Sequence, residues 1–167
     1  MDSIDRISML RQLIAEASGV VYSRKKLHKL VFLLQAAGED FDQEFIYHNY
    51  GVFSPTLAHD LDEARGSQLI AESRSVDRGG YTLSLPTDGG ETPSVGIQIS
   101  PKCADLVRRL AGKSPQHLEV LSTIIYLSQH YYAADAIREK LKILKPDLSD
   151  HYSAAYTDAR DIFGVAV

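Results

Sequence analysis

The chain has 167 residues, 44% of them hydrophobic and 24% charged, with a net charge of -4 and a pI near 5.8. No apolar run approaches the ~18 residues of a membrane span, and the acidic balance argues against a general electrostatic hold on nucleic acid. One cysteine excludes an internal disulfide. The start, MDSIDRISML, lacks a basic region before an apolar stretch, so no signal peptide and a cytoplasmic location are expected. A chain this long can bury roughly 70% of its unfolded surface, which predicts one domain over 1–167 with one core.

In chain order, Ile4, Ile7, Leu10 or Arg11, and Ile14 predict a helix from Ser3 to Ala17, capped by Asp2 or Ser3 and closed by Gly19. Leu27, Leu30, Val31 and Leu34 then fall at i, i+3, i+4 and i+7, and Phe32 and Leu33 widen the apolar face. This helix is expected at the centre of the core. Its first turn carries Arg24, Lys25, Lys26 and Lys29 against the helix dipole, and four acids, Glu39, Asp40, Asp42 and Glu44, follow its end. A short alternating run (Phe45 to Asn49), a glycine at Gly51, and Ser54-Pro55 then predict strand, turn and a capped helix bearing Leu57, Leu61 and Ala64.

From Gln68 to Ile99 the period changes to two: Leu69 and Ala71, then Tyr81, Leu83 and Leu85, then Val95, Ile97 and Ile99. Asp77-Arg78-Gly79-Gly80 and Asp88-Gly89-Gly90 supply turns, so a small antiparallel sheet is predicted. Ser100-Pro101 and Ser114-Pro115 open two further helices, and Ala134–Leu144 and Ser149–Ile162 complete a helical C-terminal half. The fold class is a mostly helical α+β domain with winged-helix-like order in the N-terminal half.

KLHKLVFLLQ (Lys26 to Gln35) followed by YHNYGVFSPTLAHDLD (Tyr47 to Asp62) resembles the signature of YwgA-like proteins and of the related SocA-like antitoxins, the Panacea domain. KPDLS (Lys145 to Ser149) is similar to the end of YwgA-like chains, so the resemblance spans most of the chain. Val52 departs from it, since those proteins usually carry proline after the glycine. The resemblance implies a non-enzymatic protein-binding module, an antitoxin or adaptor contacting a cognate toxin.

Nothing in the residues supports a named reaction. The six histidines are dispersed, and His59-Asp60, although shared with metal-dependent phosphohydrolases, is only two adjacent letters. Cys103 sits on an apolar helix face, as a core thiol would. No catalytic residue, metal site or cofactor is therefore expected. A winged-helix DNA-binding regulator is the alternative, weakened because the helix before the wing carries Asp60, Asp62 and Glu63 against Arg65. Tyr126, Tyr131, Tyr132, Tyr152 and Tyr156 in the C-terminal half suit an interface or a packed helix face. The expected partner site combines Arg24, Lys26 and Lys29 with Tyr50 and Phe53, for an acidic protein or a phosphate-bearing ligand.

Overall fold

Serine side chains set most of the helix starts. In the computed structural model, which describes residues 1–77, 79–87, 96–130 and 132–167, Asp2 caps α1 (Ser3–Glu16) by accepting from the Asp5 N–H at 2.9 Å. Ser18 and Gly19, with φ of 64° and 83°, turn the chain into β1 (Val20–Tyr22), a strand the sequence pattern does not announce. Ser23 then caps α2 (Arg24–Ala36). The three Ser-Pro pairs act alike: Ser54, Ser100 and Ser114 cap α3 (Pro55–Gly66), α4 (Pro101–Ala111) and α5 (Pro115–Gln129), each with proline in the first turn, where no amide bond is lost.

Between α2 and α3 lies a hairpin of β2 (Ile46–His48) and β3 (Gly51–Phe53), paired Tyr47 to Val52. Gly51 has φ 93°, a conformation that a Cβ would strain, which is why glycine closes this turn. β4 (Ala71–Arg74) and β5 (Tyr81–Ser84) form the second hairpin, and β1 adds to β5, giving the antiparallel order β1-β5-β4. Helix, strand, two helices and a hairpin, with the first strand beside the last, is winged-helix topology with the β2–β3 hairpin inserted. The predicted α+β class and its winged-helix-like order are what the chain adopts.

Leu27, Leu30, Val31 and Leu34 are all fully buried. α2 packs against α4, α5, β1, β3 and β5, so its apolar surface is covered on several sides as its width requires. Cys103 lies in the same core, where burial first, then Glu39 and Glu16, pushes its thiol up to about 12. The C-terminal half adds α6 (Ala134–Leu144), a 3-10 turn (Pro146–His151) and α7 (Tyr152–Phe163), the last two replacing the single helix predicted from Ser149. Tyr152 donates to the Leu141 and Lys145 carbonyls at 3.2 and 2.6 Å and so closes the end of α6, while its half-buried ring and that of Tyr156 pack on the core. α7 is held to α5 through the buried pair His117–Asp158, 2.7 Å apart.

The strand expected at Ile97 and Ile99 is corrected. Ile97 and Ile99 are not in a strand. Their backbone is bonded by a side chain of α1 instead: the Gln12 amide donates to the Ile97 carbonyl at 2.8 Å and accepts from the Ile99 N–H at 2.9 Å. Of the four acids after α2, Glu39 accepts from the Ser100 N–H and hydroxyl and thereby answers the positive end of α4. Val95, the Asp88-Gly89-Gly90 turn, Arg78 and Tyr131 lie outside the described residues. Among the described residues, no helix is long and apolar enough to cross a membrane.

Candidate functional site

The stretch from His28 to Asp60, joined by Arg6 of α1, builds a buried polar chain. The Ser54 hydroxyl accepts from the Leu57 N–H to cap α3 and donates to Gln43 Oε1 at 2.8 Å. Gln43 Nε2 donates to Asp60 Oδ2 at 3.0 Å, and Arg6 holds both Asp60 oxygens at 2.7 and 3.0 Å. Gln35 pins the backbone of Gln43 at both its N–H and its carbonyl. Ser54 and Asp60 are fully buried, so each of these polar atoms needs the partner it has.

The same chain seats an imidazole. The Ser54 N–H donates to His28 Nδ1 at 3.1 Å, which leaves the ring proton on Nε2. Burial, reinforced by Lys29, Arg24 and His48, lowers the His28 pKa to about 4, so the ring is neutral at pH 7. It stacks on Phe53 with centroids 4.8 Å apart and an interplanar angle of 15°. His48 packs on the same Phe53 ring, centroids 5.0 Å apart, and its Nδ1 accepts from the Tyr50 N–H.

These rings floor a cleft of about 390 Å³ between the start of α2 and the β2–β3 hairpin, walled by Arg24, Lys25, Lys29, Tyr50, Val52 and Ala58. Four of the five predicted site residues, Arg24, Lys29, Tyr50 and Phe53, thus meet in one place. Lys26 does not. Its ammonium donates to the Ala111 carbonyl at 2.7 Å, where it satisfies the C-terminal end of α4. Lys25 takes its place at the cleft, with Nζ 3.9 Å from the centre of the Tyr50 ring. Sequence reasoning missed Lys25, His28 and His48. The signal was present for the first two: Lys25, His28 and Lys29 fall at i, i+3 and i+4, one helix face, whereas Lys26 lies a quarter-turn away.

The three cations are not equivalent. Arg24 is neutralised by Glu72 at 2.6 Å and Asp62 at 2.9 Å. Lys25 is exposed. Lys29 is only 5% exposed, and among the described residues no carboxylate oxygen lies within 4.0 Å of its ammonium. Burial lowers its pKa; Glu119 opposes that, and Lys145 and Lys25 add to it. Glu119 itself is taken at 2.6 Å by Lys145. A lysine this buried with no carboxylate in direct contact is the group here most in need of an anion.

His59, Asp60 and Glu63 bring ligand atoms within 4.8 Å of one another. However, both Asp60 oxygens already accept from Arg6, and Glu63 accepts from the Ser3 hydroxyl at 3.0 Å, so a metal there would compete with a guanidinium. The same contacts correct the expectation of three carboxylates facing outward from α3: Asp60 points into the core, and Asp62 is paired with Arg24.

The chain is similar to the uncharacterized protein YwgA of Bacillus subtilis (strain 168), with 26% identity over 112 residues that cover 65% of this chain and 67% of YwgA. No family model and no solved structure matches the chain.

Proposed function

We propose that this chain is a non-enzymatic protein-binding module acting in the cytoplasm, an antitoxin or adaptor that docks an acidic segment of a partner toxin at the cleft between α2 and the β2–β3 hairpin. The observation that carries this reading is the meeting of Lys25, the buried Lys29, which has no ion-pair partner within 4.0 Å among the described residues, and the exposed Tyr50 on one apolar floor. Tyrosine and basic groups around an apolar centre match what protein interfaces use, and their charge selects an acidic partner. The resemblance of the Lys26–Gln35 and Tyr47–Asp62 stretches to SocA-like antitoxins supports the same direction.

Antitoxins are normally encoded beside their toxins, so the test is co-expression with the products of the flanking reading frames. A neighbour that arrests growth should be relieved by this chain, and Lys25→Glu combined with Tyr50→Ala should weaken the relief at unchanged melting temperature. Relief that survives the double change would remove the cleft from the reading. The winged-helix topology favours a second reading, a DNA-binding regulator. There the same variant should lose duplex binding whose affinity falls steeply with salt, the slope shrinking by ~0.9 for each phosphate no longer neutralised.

A further inference from the structure

The cleft has three features that a flat protein contact does not require. It is concave and has a definite volume, about 390 Å³. Its floor is aromatic, with His28 and His48 both in ring contact with Phe53. Its wall includes Lys29, which is nine-tenths buried and has neither a hydrogen bond nor an ion pair among the described residues. The fold buries that side chain without giving it an ion-pair partner within 4.0 Å among the described residues, although a methionine of similar length would fill the same space at no electrostatic cost.

The geometry points to an oxyanion receptor: the cleft takes a ligand with one carboxylate or phosphate group on a flat apolar body, the anion meeting Lys29 and the ring or side chain lying along Phe53, Val52 and Tyr50. His28 fits this role from the opposite direction. With Nδ1 occupied by the Ser54 N–H, it is a neutral donor through Nε2, and it can add a hydrogen bond without repelling Lys29. Lys25, at the rim over Tyr50, supplies a second positive charge where an anion would enter. The ligand chemistry has two sources, a free small molecule or an aromatic-acidic segment of the docked partner. The inference rests on the same cleft as the docking reading but needs no partner protein for its test.

The test titrates the isolated chain with phenyl phosphate and with an acetyl-Asp-Phe amide peptide, by calorimetry and by NMR of 13Cε-labelled lysine. Binding at one site is expected, with a dissociation constant on the order of 1 mM or tighter for at least one probe. Lys29→Met should weaken it roughly tenfold or more, through the lost charge-assisted bond, while Lys102→Met on α4 leaves it unchanged. In the unaltered protein the Lys29 signal should shift and its titration midpoint should rise with bound anion, a signature that does not depend on any variant folding. Tighter phosphate binding assigns the site to a small molecule, and tighter peptide binding assigns it to the partner. No binding of either probe, or binding that leaves the Lys29 signal in place, overturns the oxyanion receptor; growth relief by co-expression still decides the docking reading.

Discussion

The Ser54 backbone N–H donates to Nδ1 of His28 across 3.1 Å, joining the first residue before α3 to the middle of α2. A protonated imidazole has no lone pair at Nδ1, so this bond exists only while His28 is neutral. The stability of the loop is thereby tied to pH. The folded-state pKa of His28 is lowered to about 4 from an ordinary 6.5, chiefly by burial. Between those values the unfolded chain binds a proton that the folded chain excludes, so stability falls as pH is lowered through this window and levels off below it. The full effect is about 3 kcal/mol, since a tenfold change in proton affinity corresponds to roughly 1.4 kcal/mol. We expect urea midpoints of the unaltered protein to drop between pH 7 and pH 4.5, and the drop to be smaller in His28→Asn. Equal drops in both proteins would show that His28 does not govern the response.

Asp60 gives a second expectation. It is fully buried, and it is the only point where α1, α3 and the Gln43 segment share one charge among the described residues: Arg6 and Gln43 converge on its two oxygens. Asp60→Asn keeps the shape but leaves Arg6 with only the more distant and exposed Asp42 as counter-ion, 3.6 Å away, which should cost about 3 kcal/mol in chemical denaturation. Replacing both partners, Arg6→Met with Asp60→Leu, should recover part of that loss, because no stranded charge remains. A double variant as unstable as Asp60→Asn would mean that the pair does more than neutralise itself. The Gln43 amide, left facing leucine, sets a limit on how complete the recovery can be.

Much of the fold is legible in the residues because its signals are local. Three Ser-Pro pairs each start a helix, since the cap and the first-turn proline act within one turn. The α2 face is readable because Leu27, Leu30, Val31 and Leu34 repeat on one side of a helix. The polar partners are less so, as they come from distant parts of the chain. Nothing near Lys26 announces the Ala111 carbonyl, 85 residues on, that takes its ammonium out of the predicted site. Likewise Lys29 reads as one more surface charge, yet it is only 5% exposed, on a helix that packs against β3 and α5. β1 has only three residues, too few to show a period, and is made a strand by its pairing with β5.

The last expectation concerns the segment read as a strand at Ile97 and Ile99. Of the two isoleucines, Ile99 packs on the core while Ile97 is exposed, and the backbone hydrogen bonds come from one glutamine of α1. Gln12 donates to the Ile97 carbonyl and accepts from the Ile99 N–H, the two bonds a neighbouring strand would supply. The close approach is allowed by Gly96, where an added Cβ would stand 2.6 Å from the Ser8 hydroxyl oxygen. Gln12→Ala removes both bonds and should cost about 1–3 kcal/mol, with amide exchange accelerated at Ile99 more than at β5. Gln12→Glu is the sharper variant. At pH 7 its carboxylate still accepts from the Ile99 N–H but faces the Ile97 carbonyl without a proton to offer. Once protonated, below the ordinary glutamate range near ~4.3, it can donate again, so its deficit against the unaltered chain should shrink as pH falls. Exchange at Ile99 that is the same in Gln12→Ala as in the unaltered chain would show that burial alone, not the glutamine, holds this segment on α1.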